Sequence, residues 1–103
     1  NIGGNSEVEN IAVVNAICSI LDQAVKPARS CRELITFVKD RPGHDWRYAI
    51  DFSKLNQELG WSPAESFSTG LEKTVKWYMA NSEWTISVRS GEYLKWIEEH
   101  YGK

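Results

Sequence analysis

The stretch 34–51, LITFVKDRPGHDWRYAID, decides how the rest of the chain is read. Two apolar runs, LITFV at 34–38 and RYAI at 47–50, have the β-branched and aromatic content of strands. Between them sit Asp40, Arg41, Pro42, Gly43, His44, Asp45 and Arg47. A bare reversal needs only the Pro and the Gly, which pre-set one φ and free the next. Two short strands do not make a self-sufficient sheet. The pattern therefore predicts that they pair with strands outside this chain or pack under its helices.

Working outward, the segment 11–25 carries apolar residues at 13, 14, 17, 20, 21, 24 and 25, which is helical periodicity. Asn10 is placed to cap that helix, although Ser6 with Glu9 forms a competing capping box one turn earlier. Pro27 ends it. On the other side of the stretch, Asp51 and Ser53 compete to cap a short helix over 53–59, and Gly60 stands where a left-handed residue belongs. Trp61 is expected to fold back onto that helix. Ser66 opens a helix over 66–81, with Phe67, Leu71, Thr74, Val75 and Tyr78 on one stripe. Residues 84–88 read as a short helix or irregular turn. Ser90 is expected to cap a last helix over 91–101, with Tyr93, Leu94, Ile97 and Tyr101 on one side. The fold class expected is α/β and helix-rich, two short strands with about four helices, in one domain spanning 1–103.

The chain has 103 residues, 42% hydrophobic and 25% charged, which suits one domain of ordinary globular composition. Five tryptophans imply aromatic packing surfaces. A formal net charge of −2 gives no electrostatic reason to expect nucleic acid or an anionic membrane as partner. No apolar run is long enough for a membrane span and no leader is visible, so a cytoplasmic protein is expected. Cys18 lies inside the first helical pattern and reads as a small buried hydrophobe, and with Cys31 it makes no disulfide scaffold. The chain begins NIGGNSEVEN and its one methionine is Met79, which suggests a piece of a longer protein.

The polar turn is the leading candidate site. Arg41 offers a planar five-donor fork suited to phosphate, and His44 can donate to a phosphate or a sugar hydroxyl. The alternative is a solvated turn in which Arg41 pairs with Asp40 or Asp45. Asn10 caps a helix whose N-terminus suits an anion, so Asn10 and Arg41 would converge on one diphosphate if the turn lies beside it. His100, beside Glu98 and Glu99, reads as surface. Cys18, Cys31, His44 and His100 lack metal-ligand spacing, so no metal is expected. There is no G-x-G-x-x-G, P-loop or G-x-S-x-G, and no nucleophile with a base beside it.

Taken together, NIGG, ENIAVV, RELITFVKDRPGHDWRYAID, ELGWSP, GLEKTVKWYMAN and SGEYLKWIEEHYG resemble the C-terminal part of the dTDP-glucose 4,6-dehydratase family, within the extended short-chain dehydrogenase/reductases. RPGHD with YAID is characteristic of nucleotide-sugar dehydratases. The W-Y-x-x-N and S-G-x-Y-x-x-W-I segments favour the dTDP-glucose enzymes over those acting on GDP-mannose. The resemblance implies a two-lobed parent in which a Rossmann domain holds NAD and a small C-terminal lobe, this chain, grips the nucleotide sugar. It implies NAD-dependent oxidation at C4, loss of water across C5 and C6, and return of hydride to C6, a step of deoxysugar and rhamnose synthesis. The Tyr-x-x-x-Lys pair, the acid-base carboxylates and the Gly-rich NAD turn of such enzymes match nothing here. No catalytic, cofactor or metal residue is therefore carried over, and the chain alone is expected to be inactive. Carried over as substrate-binding are Asn10, Asp40, Arg41, Pro42, Gly43 and His44. The parent is expected to be a homodimer through the domain outside this chain. Where the family commonly has Arg after RPGHD, this chain has Trp46, which removes a charge near the site. The rival expectations are a lobe of a nucleotide-sugar epimerase or GDP-mannose 4,6-dehydratase, and a helical interaction module without ligand.

Overall fold

A computed structural model describes residues 1–91 together with Leu94, Lys95 and Glu99. The described elements are α1 (Asn10–Val25), a 3-10 turn (Cys31–Leu34), α2 (Ser53–Leu59), α3 (Phe67–Ala80) and α4 (Ser82–Ser90). The chain divides into two compact units, Asn1–Glu72 and Lys73–Lys103. The helix expected over 91–101 lies mostly outside the described residues, as does His100.

Both expected strands are absent among the described residues, so the expected α/β class is corrected: these residues are helix-rich and supply no sheet. Ile35 has extended backbone, at φ −68° and ψ 122°. An extended segment becomes a strand only when a neighbour completes its ladder. Leu34, Phe37 and Val38 are 80%, 84% and 84% exposed, which shows how little of this run is covered. Leu34 itself closes the 3-10 turn.

In the first unit, α1 packs on the 3-10 turn through Asp22. Its Oδ2 accepts the Ser30 hydroxyl at 2.6 Å and its Oδ1 accepts the Cys31 N–H at 2.8 Å. The Arg32 guanidinium reaches the Ser19 hydroxyl at 2.7 Å, tying the turn to α1 a second time. The bond from Ser30, then that from the Cys31 amide, hold the Asp22 carboxyl below its usual range. The same carboxylate, by its bond with the thiol, pushes Cys31 up. Cys18 is the buried residue of α1, as its place in the apolar pattern predicts, while Val25 at the helix end is 61% exposed. Lys26, in the left-handed region, closes α1 before Pro27.

Capping explains the remaining boundaries. The N-cap of α1 is Glu9, not Asn10, and neither the Asn10 cap nor the Ser6–Glu9 box forms. Ser6 donates instead to the Gly4 carbonyl, and Asn10 is the first helical residue. Neither candidate caps α2: the N-cap is Phe52 and Ser53 is the first helical residue, while Asp51, one position before the cap, accepts the amide and the hydroxyl of Ser53 on its Oδ1, at 2.9 and 2.5 Å. Gly60 takes φ 64°, a conformation costly for any side chain with a Cβ. Trp61 then lies edge-on to Phe52, with ring centroids 5.7 Å apart. At α3, Ser66 and Thr69 exchange amide-to-hydroxyl bonds, a capping box with Thr in the usual place of Glu. In the second unit, residues 82–90 settle as helix α4, and Gly91 at φ 76° follows it. Ser90 ends that helix, its hydroxyl bonded back to the Ser87 carbonyl. Trp77, Tyr78 and Trp84 form a cluster of edge-to-face aromatic pairs there. No described helix is long and apolar enough to cross a membrane.

Candidate functional site

The reversal at 40–48 is held by carboxylates. Asp40 Oδ1 accepts the Arg41 amide at 2.8 Å and His44 Nδ1–H at 2.7 Å, across the Pro42-Gly43 corner. The His44 bond, then that from the Arg41 amide, keep the Asp40 carboxyl below its usual range. Asp45 Oδ2 accepts the Tyr48 hydroxyl at 2.5 Å, which pushes that phenol up. The Arg47 guanidinium pairs with Glu7, on the segment leading into α1. Gly3 makes this approach possible farther along, since a Cβ there would lie 2.8 Å from the Ile50 carbonyl and Cβ.

These two straps enclose a cleft of about 600 Å³. Its walls are residues 6–10 on one side, and Asp40 with residues 44–48 on the other. Of the residues singled out in the sequence, Asn10, Asp40 and His44 line it. Arg41, Pro42 and Gly43 stand on the same turn but outside the lining. Among the described residues the Arg41 guanidinium has no ion-pair partner, so the expected pairing with Asp40 or Asp45 does not form. The sequence pattern includes Arg47 in the polar turn, but Glu7 and Tyr48 were not singled out as parts of the wall. Nothing local signals a pair separated by forty positions; the hydroxyl of Tyr48, three residues from Asp45, was the one readable clue.

The cleft carries the carboxylates of Glu7, Glu9, Asp40 and Asp45 against the guanidinium of Arg47. Three of the four are engaged, Glu7 with Arg47, Asp40 with His44 and Asp45 with Tyr48. Glu9 sits at the N-terminus of α1, where the helix dipole favours a negative charge. Trp46 lines the cleft and is fully exposed, so the residue that replaces the expected Arg is at the site. Among the described residues there is no group of side chains fit to hold a metal ion. No described turn is a glycine-rich cradle of the kind that holds a dinucleotide.

The family model for GDP-mannose 4,6 dehydratase matches residues 1–74, a span that contains the whole cleft. The chain is 55% identical to the dTDP-glucose 4,6-dehydratase of Salmonella typhimurium over 98% of its own length. The enzyme of the same name from Shigella flexneri gives the same identity and cover. That from Neisseria meningitidis serogroup B is 52% identical over 90% of the chain. The chain spans only 27% to 28% of the length of these relatives. With the cleft inside the matched span and identity sustained along nearly the whole sequence, the chain belongs to the nucleotide-sugar 4,6-dehydratase family.

Proposed function

We propose that this chain is the substrate-binding part of a dTDP-glucose 4,6-dehydratase and that the cleft beside α1 receives the nucleotide sugar. The observation that carries this reading is the 55% identity to enzymes named for that activity, over 98% of the chain. Asn10, Asp40, Arg41, Pro42, Gly43 and His44 form the binding set. Arg41, with no ion-pair partner among the described residues, turns to the diphosphate, where a planar guanidinium matches two phosphate oxygens at once. His44, on the same turn, and Asn10, on the opposite wall, offer polar groups to the ligand. Engaging three of the cleft's carboxylates with internal donors lowers the repulsion an anionic ligand meets. The whole protein is an NAD-dependent lyase that yields dTDP-4-keto-6-deoxyglucose, is dimeric through other segments, and binds NAD with residues outside this chain. What the residues seen here supply is grip and orientation.

The full-length protein tests this reading when incubated with NAD and dTDP-glucose, with the 4-keto product followed. Conversion of dTDP-glucose, and none of GDP-mannose, is the expected result. Turnover of GDP-mannose alone would assign the chain to the enzymes for which the matching family model is named. The 103-residue chain by itself is expected to give no product.

A further inference from the structure

We propose that Asp40 is a positioning residue that acts on the ligand through His44, holding its ring in the Nδ1–H tautomer and leaving Nε2 as the free nitrogen. This rests on the reading of the cleft as the nucleotide-sugar site. It also revises the role of Asp40 within that site, from a ligand contact to a support.

The geometry gives the tautomer. An ionised carboxylate has lone pairs and no proton, so it only accepts. Asp40 Oδ1 accepts from two directions, from the Arg41 amide at 2.8 Å and from His44 Nδ1 at 2.7 Å. Two donors converging on one oxygen favour the ionised form. The proton between Asp40 and His44 therefore sits on Nδ1. Among the described residues Nε2 has no partner, and the half-exposed ring lines the cleft. The amide bond to Arg41 fixes the carboxylate itself, so the ring is oriented by the start of its own turn. A carboxylate makes a poor direct contact for a diphosphate, because like charges repel. As the acceptor behind an imidazole, the same group holds Nε2 ready to accept from a ligand hydroxyl or, with the ring doubly protonated, to donate to a phosphate oxygen, at no such cost. The other charged groups lining the cleft are Glu7, Glu9, Asp45 and Arg47, and Glu7 and Arg47 are paired with each other.

The test uses the full-length protein, dTDP as probe, and imidazole nitrogen–proton NMR, with the His44 signals identified by their loss in His44→Gln. The wild type is expected to show a protonated Nδ1, and Asp40→Ala to lose that preference. Asp40→Asn keeps an acceptor oxygen for the Arg41 amide, so the turn persists if alanine unfolds it, and its hold on the tautomer should fall between the two. A hydrogen bond to a charged group is worth about 1.5–3 kcal/mol, so Asp40→Ala and His44→Ala should each weaken dTDP binding about tenfold or more. Asp40→Ala should add nothing in the His44→Ala background. Equal losses in both backgrounds would overturn the proposal by showing that Asp40 touches the ligand independently. So would an unchanged His44 tautomer in both Asp40 variants. If Asp40→Ala shifts the tautomer while His44→Ala leaves dTDP affinity intact, the positioning role stands and the reading of the cleft as the dTDP site fails.

Discussion

At the scale of single residues, Trp46 is where the sequence departs from its family pattern and where the structure is most specific. It lies fully exposed on the wall of a cleft lined by four carboxylates. Restoring a cation there should help an anionic ligand by the small amount that an exposed charge pair supplies. Trp46→Arg is expected to tighten dTDP binding by the full-length protein roughly two- to fivefold at low salt. The gain should fade as salt is added. Isothermal titration at two ionic strengths checks both, and looser binding would mean that the indole contacts the ligand. The site itself was only partly legible at this scale. The side-chain chemistry of Arg41 and His44 can be read from their types and spacing. That Arg41 would have no ion-pair partner among the described residues, and that Glu7 would reach Arg47, depends on how distant segments meet.

Elements are held here by short-range devices, and these respond to substitution and pH in definable ways. Gly3 is where the leading segment meets Ile50, and alanine there would put a methyl group 2.8 Å from a carbonyl oxygen. Gly3→Ala is expected to cost about 1–3 kcal/mol, as overpacking does, and to lower the urea midpoint of the full-length protein. An unchanged midpoint would show that the two segments separate freely. Asp22 ties α1 to the 3-10 turn, and its folded pKa is depressed. A depressed carboxyl contributes stability above its unfolded pKa and loses it as pH falls through the folded one. Asp22→Asn should therefore lower the thermal midpoint by a steady amount near neutrality. The difference should shrink below about pH 4. Some helix ends were legible because their signals are local: Gly60 and Ser66 act within a few residues of themselves, whereas the start of α2 falls on Phe52, with neither of its polar neighbours as the cap. Glu9 displaced Asn10 by one position because an N-cap is set by backbone geometry, and no side-chain bond formed to decide it. The strands at 34–38 and 47–50 were misread for the opposite reason, since a strand is completed by a partner that no local pattern specifies.

Across the whole molecule, the notable property is how little apolar surface is put away. Cys18 and Val75 are the buried hydrophobic residues among those described. Phe37, Val38, Tyr48 and Ile50 remain more than half exposed. Backbone without a ladder exchanges its amide hydrogens quickly. In the isolated 103-residue chain, amides 36–38 and 47–50 are expected to exchange at nearly unprotected rates, unlike Ile35, whose amide donates to the Arg32 carbonyl. In the full-length protein the same amides are expected to be slowed if strands from elsewhere complete them, as the sequence pattern predicts. Mass spectrometry of both proteins after brief deuterium labelling decides this, and equally fast exchange in both would reject the completion.

The bond between Asp22 and Cys31 has a practical outcome for chemical modification. Alkylating reagents attack the thiolate, and the carboxylate beside Cys31 disfavours that form. Cys18 is shielded by burial. Maleimide or iodoacetamide should therefore label this chain slowly at neutral pH, although it contains two free cysteines. Asp22→Asn removes the suppressing charge, and the labelling rate at Cys31 should rise several-fold. One substitution would thus convert a quiet thiol into an attachment point for a fluorophore, beside α1 and away from the cleft wall.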